Sequence, residues 1–338
     1  MRFDAIIIRG MANKILISRP IFINMGRAWL YARLALAIAF MFAILYGLLV
    51  LIAYIAGFAY PIFLAFLAFI IILLQYLISP KIVEVTMRVK YIEKKDMPKL
   101  YGIVEKLAME ANIPMPRVGI AAVDVPNAFA FGRSRRDGRV CVTKGLLSIL
   151  NDEELEAVLG HEISHLKHRD MVVITMLSVI PLLSYLVFWN FLWARRRDES
   201  SLIALVAFLV YIISNLIVLY VSRIREYYAD YGSAMLTKKP HALASALYRI
   251  STATTKIPRE KIKKVEGMKA FFATDPSTAR RDVFDLSKAD LNLDGHIDEY
   301  ELQEFASKAK ASTAEKLMEI FSSHPNIVDR IKRIAEIK

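Results

Sequence analysis

Two imidazoles four residues apart, with a carboxylate beside the first, occur in His161-Glu162-Ile163-Ser164-His165. On a helix this H-E-x-x-H spacing is a metal-hydrolase pattern, because residues four apart share one face about 6 Å apart along the axis. Both rings then reach one zinc ion, while Glu162 stands one position round and reaches a bound water without being a ligand. Zinc lowers the pKa of that water toward ~7, and Glu162 takes its proton during attack on a peptide carbonyl. The alternative is a solvated amphipathic helix whose histidines do nothing.

The flanking residues favour a helix: Asn151 caps it with Glu154 three positions on, and Leu155, Val158 and Leu159 form an apolar stripe. A catalytic zinc needs a third protein ligand and an open position. His168 lies about 10 Å along the axis from His161, too far to share the ion. A glycine turn after the second histidine, the metzincin device, is missing, since Leu166 and Lys167 follow His165. Glu226 and Asp230, four apart in Arg225-Glu226-Tyr227-Tyr228-Ala229-Asp230, offer a coordinating carboxylate and a hydrogen-bond acceptor for the far nitrogen of a ligand histidine. They read otherwise as a surface acidic pair in a basic stretch.

A second cation motif lies further on. Asp290-Leu291-Asn292-Leu293-Asp294-Gly295-His296-Ile297-Asp298-Glu299-Tyr300-Glu301 fits the twelve-position EF-hand loop. Its calcium shell would be Asp290, Asn292, Asp294, the His296 carbonyl, Asp298 through water and bidentate Glu301, with the turn at Gly295. Leu302 and Phe305 give the outgoing helix an apolar face, while Ala289 stands where a larger apolar residue is usual, and no second loop pairs with it. It reads otherwise as a degenerate loop entering an acidic helix. If it binds calcium, the expected effect is on the position of His324 or on access to the cleft.

The elements that position these residues follow from hydropathy. No charged residue occurs from Leu34 to Pro80, about twice the ~20 residues of one span, and Gly57 with Pro61 splits this run into a hairpin. A second apolar pair runs from Met171 to Trp193 and from Leu202 to Val221, around the charged Arg195 to Glu199. Trp189, Trp193 and Tyr220 sit at its ends, as interfacial rings do. Four spans are therefore expected. An even number of spans between His165 and Glu226 returns the chain to the side where the histidines lie.

The expected organisation is a basic arm (1–33), a transmembrane hairpin (34–80), a protease unit holding the H-E-x-x-H helix (81–170), a second hairpin (171–221) and a helical part (222–338). The acidic loop lies in an insertion at about 276–312. Within 81–170, Val83, Val85, Met87 and Val89 alternate as in a strand and Pro98 to Ala111 has helical spacing. Short strands are expected at Val118 to Val123, Ala128 to Phe131 and Val140 to Thr143, the last two joined through Asp137-Gly138. The fold class is mainly α, a four-span membrane helical protein with a zincin-type α+β metalloprotease domain.

The net charge of +12 and the mean hydropathy of +0.38 suit basic residues beside a lipid bilayer better than a nucleic-acid surface. The arm carries Arg2, Arg9, Lys14, Arg19, Arg27 and Arg33 against Asp4, which directs both termini and the protease unit to the cytoplasmic side of the cell membrane. The Arg195 to Arg197 cluster opposes that orientation. Cys141 is the one cysteine, so no intrachain disulfide forms.

The chain resembles the HtpX-like membrane metalloproteases in Asn127-Ala128-Phe129-Ala130-Phe131-Gly132, Thr143-Lys144-Gly145-Leu146-Leu147, Val158 to His165 with Lys167-His168-Arg169-Asp170, Arg225 to Asp230, and Ser323-His324-Pro325 leading to Arg330-Ile331. The resemblance spans roughly residues 30 to 275 and 313 to 338, and it does not extend to the acidic loop. It implies one zinc per chain held by His161, His165 and Glu226, with Asp230 supporting them. It also implies oxyanion stabilisation by His324 and Arg330, which suits the charge that develops on a carbonyl oxygen. Asn127, Ala128 and Phe129 would belong to an edge strand that pairs with extended substrate; without the resemblance they read as a core strand, and His324 as a turn residue. The implied activity is stress-response quality control, cutting misfolded membrane proteins at the cytoplasmic surface. The competing readings are a prenyl-protein-processing protease and a calcium-responsive membrane binding module with an inactive protease site.

Overall fold

The computed structural model describes residues 61–192, 198–258, 260–262, 272–274, 276, 278–309 and 319–337, with scattered helical positions between 39 and 50. The basic arm, most of the first apolar segment and the Arg195 to Arg197 cluster lie outside the described residues. In chain order the elements are α1 (Pro61–Thr86), β1 (Val89–Tyr91), α2 (Pro98–Ala111), β2 (Arg117–Ala121), β3 (Ala128–Phe131) and β4 (Arg139–Thr143). There follow α3 (Lys144–Ile149), α4 (Asp152–His168), α5 (Asp170–Leu192), α6 (Asp198–Thr237), α7 (Pro240–Thr255), α8 (Ala279–Leu286), α9 (Glu299–Lys308) and α10 (Ile327–Ala335).

Three described helices are long and apolar enough to cross a bilayer, over Phe69–Thr86, Asp170–Trp189 and Ser201–Thr237. The expected fourth span, the first in the chain, lies outside the described residues. At 40 residues, α6 is about 60 Å long, twice the ~30 Å of a hydrocarbon core. Its apolar half packs on α5, and its charged half, from Arg223 on, runs into the protease domain. The boundary expected at Val221 is therefore a change of surroundings within one helix.

The alternation read as a strand over Val83 to Val89 is instead the end of α1, which continues through Pro80 to Thr86. Val83 and Met87 are both buried, and their spacing of four is a helical one; the strand is only Val89–Tyr91. A buried Arg139 fastens this junction, donating from Nε to Glu84 Oε1 at 3.0 Å and from Nη1 to the Asp137 carbonyl at 2.8 Å.

The sheet order is β1-β2-β4-β3. β2 and β4 are parallel and both outer pairs antiparallel, so β3 is an edge. Its link to β4 is a 3-10 turn at Arg135–Asp137 rather than a tight Asp137-Gly138 hairpin. The main core lies between the sheet, α2, α4, α7 and α10, with Leu107, Leu146, Leu159, Ile163, Leu243 and Ile331 nearly inaccessible.

Candidate metal centre

The helix α4 forms where capping and polarity say it should. Asn151 Oδ1 accepts from Glu154 N and Glu154 Oε2 accepts from Asn151 N, both at 2.9 Å, closing the capping box. At the other end Arg169 takes a left-handed conformation (φ 59°), and the chain passes at once into α5. The crossing of α4 over α6 is tight: a Cβ at Gly232 would collide with the Ser164 side chain, while Ser233 Oγ donates to the Ala157 carbonyl at 2.6 Å.

This crossing brings His161, His165 and Glu226 together, all buried, with one donor atom of each within 4.8 Å of the others. The two Nε2 atoms are 3.1 Å apart, and Glu226 oxygens lie 3.6 Å from His161 Nε2 and 3.5 Å from His165 Nε2. Each ring has its own carboxylate behind it: Asp230 Oδ1 is 2.9 Å from His161 Nδ1, and Asp170 Oδ2 is 2.6 Å from His165 Nδ1. With both Nδ1 atoms protonated toward those acids, two Nε2 lone pairs converge, an arrangement that a cation relieves. Glu226 Oε2 is likewise buried without a hydrogen bond. Burial opposes charge on His165, yet Asp170 and Glu226 outweigh it and hold the imidazole pKa up to about 10, a measure of how strongly the pocket favours positive charge.

With carboxylates ionised and imidazoles neutral, Glu162, Asp170, Glu226 and Asp230 face two guanidiniums, Arg225 and Arg330. A divalent cation supplies the balancing charge, so two nitrogens and one carboxylate fit zinc with a position left open.

Glu162 is buried and accepts a hydrogen bond from the Ala130 backbone of β3. Burial pushes its carboxyl above the usual carboxylate range, as suits a group that takes and returns a proton. A cleft runs beside it, walled by Phe129 to Gly132 on one side and on the other by the end of α1, the start of α5 and the Ser222 to Glu226 stretch inside α6, including Val83, Met171 and Ile174. Thr143 N donates to the Asn127 carbonyl at 2.9 Å, and by antiparallel alternation the Ala128 and Ala130 groups turn to the open edge.

His324 is buried with Nδ1 3.4 Å from Glu226 Oε2, inside the site. Arg330, expected at the oxyanion, has its Nη1 3.7 Å from Glu226 Oε2, and its hydrogen bonds run to Asp230 and Ala273. Its Nε and Nη2 donate to Asp230 at 2.8 and 2.6 Å, and its Nη1 donates to the Ala273 carbonyl at 2.7 Å. It holds Asp230 in place, because a buried carboxylate needs a paired cation. Asn127, expected to touch substrate, is also committed: it is fully buried and its Oδ1 accepts from Ala273 N at 3.0 Å. Ala273 thus links Arg330 to the start of β3. His168 stays out of the cluster, within 2.9 Å of the Ser164 carbonyl.

Two residues at the site were not singled out by sequence reasoning. Asp170 is the first residue of α5, and Arg225 Nε stands 3.0 Å from its Oδ1. An acid opening an apolar segment five residues after the second histidine was the available signal.

The acidic loop lies apart from these groups. Asp290 accepts from Asp294 N and Gly295 N at 3.1 and 3.0 Å; Glu301 accepts from Leu291 N and Asp298 N at 2.9 and 3.0 Å. Gly295 adopts φ 83°, the conformation the turn requires. His296 reaches Glu154 Oε1 at 2.9 Å and Ile297 N donates to Ser245 Oγ at 3.2 Å. The loop therefore leans on the N-terminus of α4 and on α7. Among the described residues the one cluster of metal-type donors is His161, His165 and Glu226.

Comparisons with known proteins show which family the chain is similar to. The profile of peptidase family M48 matches residues 94–338. A "Protease HtpX homolog" of Methanothermobacter thermautotrophicus is 52% identical over 218 residues, covering 64% of this chain and 84% of that protein. A "Protease HtpX homolog" of Pyrococcus furiosus is 43% identical over 235 residues, 66% of this chain and 80% of that protein. Among solved structures, Ste24p of S. mikatae is similar at a TM-score of 0.45 and 17% identity, over 89% of this chain and 64% of that one. With the family profile spanning both histidines, Glu226 and Arg330, and with relatives of this identity, the chain belongs to peptidase family M48 as an HtpX-like membrane zinc metalloprotease.

Proposed function

We propose that this endopeptidase hydrolyses polypeptides at the membrane surface with His161, His165 and Glu226 as the zinc ligands and Glu162 as the general base. The observation that carries the reading is the meeting of these three donors beside Glu162, in a cleft between a strand edge and residues of three span-length helices. Zinc, when bound, polarises the scissile carbonyl and acidifies the attacking water. Glu162, its proton affinity raised by burial, takes the proton from that water and returns it to the leaving amine. His324, beside Glu226, donates to the developing oxyanion. Ala128, through its backbone N–H and carbonyl, and Ala130, through its carbonyl, pair with the extended substrate, while the Ala130 N–H is held by Glu162. A cleft lined by residues of three helices long and apolar enough to cross a bilayer suits misfolded membrane proteins cut near the cytoplasmic face of the cell membrane, in quality control.

The test is the full chain in detergent, loaded with zinc. Glu162→Gln should keep one zinc per chain and lose casein cleavage by about a thousandfold or more, in line with the loss of a general base and its electrostatics. Equal activity in the two proteins ends the assignment.

A second reading concerns Asp290 to Glu301. We infer that this loop takes calcium, supported by oxygen-bearing side chains at the EF-hand positions and the φ of Gly295. Calcium titration of the chain and of Glu301→Gln checks it: a heat of binding identical in both removes the reading.

A further inference from the structure

The segment that leads into His324 is clasped to α6 and leaves apolar side chains uncovered. Arg223, just before Glu226 on α6, donates from a single Nη1 to the carbonyls of Glu319, Ile320 and Ser322 at 2.7, 3.1 and 2.8 Å. Helical side chains lean toward the N-terminus of their own helix, so this clasp draws residues 319–322 back beside the turn that ends at Tyr220. That turn closes the uncharged run of α6, from Ser200 to Ser222, where a membrane-crossing helix meets the headgroups. Between the clasped carbonyls Phe321 is 71% exposed, and Ile320 is exposed as well. By the 3.6-residue period, Leu209, Ile213 and Tyr220 share one face of α6 with Arg223, and all three are exposed. The uncovered side chains of the loop therefore continue the face that α6 turns to lipid.

We propose that Ile320 and Phe321 enter the bilayer at its headgroup boundary, an interfacial anchor beside the spans. The proposal rests on α6 crossing the bilayer over its uncharged run. Lipid is favoured over a second copy of the chain because two side chains fall far short of the ~800 Å² that each partner buries in a stable protein interface. A lipid boundary needs no matching shape. Since His324 follows Phe321 closely and stands 3.4 Å from Glu226, the anchor fastens the active-site end of the C-terminal part to the membrane surface.

The experiment places the full zinc-loaded chain in phosphatidylcholine nanodiscs, with a fluorescent thiol label on Phe321→Cys, Tyr300→Cys or Ile213→Cys. Cys141 is fully buried and does not compete for the label. With a nitroxide carried near the lipid headgroup, the label at 321 should lose most of its fluorescence, as for a group ~5–10 Å deep. The label at 300, on a side chain as exposed as Phe321 but on α9, should keep it. Quenching at 321 no greater than at 300 overturns the anchor. Protection of 321 from both the lipid nitroxide and aqueous iodide also overturns it, in favour of a protein partner such as a second copy. The label at 213 separates the two failures: quenched by lipid while 321 is not, it leaves the span standing and removes the anchor alone, whereas unquenched it removes the span and the anchor together. If Phe321→Cys does not fold, Ile320→Cys carries the label and is read in the same way.

Discussion

The zinc-type cluster and the acidic loop are two cation motifs in one chain, and they are built in opposite ways. In the cluster, donors from α4 and from α6, 65 positions apart in sequence between His161 and Glu226, converge with Glu226 Oε2 and the two Nε2 atoms aimed at one another. In the loop, twelve consecutive residues turn their carboxylates onto their own backbone N–H groups. The loop satisfies its acids without an ion, whereas the cluster gathers charge that only a cation balances. Metal should therefore matter greatly to the first and modestly to the shape of the second.

The sharpest way to break this contrast is to remove a ligand. Glu226→Ala should abolish zinc retention and cut casein cleavage roughly a thousandfold, measured by metal analysis and rate; a chain that keeps its zinc places the ion elsewhere. Next in size is Asp170→Asn, which frees the His165 ring and should weaken zinc about 10- to 100-fold, read by competition with a chelator. Gly232→Ala drives a Cβ into Ser164 at the helix crossing and should destabilise by about 1–3 kcal/mol. Thermal unfolding of that variant and of Gly232→Ala with Ser164→Gly checks it, the second change restoring part of the loss.

Smaller effects belong to the loop. Asp298→Ala removes the cap of α9, where Asp298 Oδ1 accepts from Glu301 N at 2.8 Å, and should cost about 1 kcal/mol with zinc affinity intact. A zinc affinity lowered tenfold would instead show that the lean of the loop on Glu154 governs the site. The smallest expected effect is on pH. Asp137 is held down to about 2, burial being outweighed by Arg133 and Arg139. A depressed acid stabilises fully above its unfolded pKa near ~4 and loses that contribution as pH falls through about 2. Asp137→Asn should thus narrow the stability difference from wild type between pH 4 and pH 2 without touching the zinc site.

What the residues announce in advance is what depends on near neighbours. The capping box of Asn151 and Glu154, the helical spacing of Pro98 to Ala111 and the edge-length run at Ala128 to Phe131 all form as their local patterns require. The alternation at Val83 to Val89 misled because a helix carried on from α1 through Pro80, and the burial of Val83 and Met87 is decided by the sheet they meet. Arg330 and Asn127 have residue types suited to substrate or oxyanion, yet both are consumed by partners on other elements, Asp230 and Ala273.

The sequence by itself determined the H-E-x-x-H helix, the apolar segments and the shape of the acidic loop, since periodicity, capping and turn chemistry act within a few residues. Tertiary structure alone decided that Glu226 faces both imidazoles, that Asp170 and Asp230 each stand behind one ring, and that Arg225 pairs with Asp170. Those facts depend on charges meeting in a water-poor interior, where an ion pair is strong and an unpaired group is costly. Which groups meet there follows from how α4 crosses α6, and no short stretch of chain encodes that crossing.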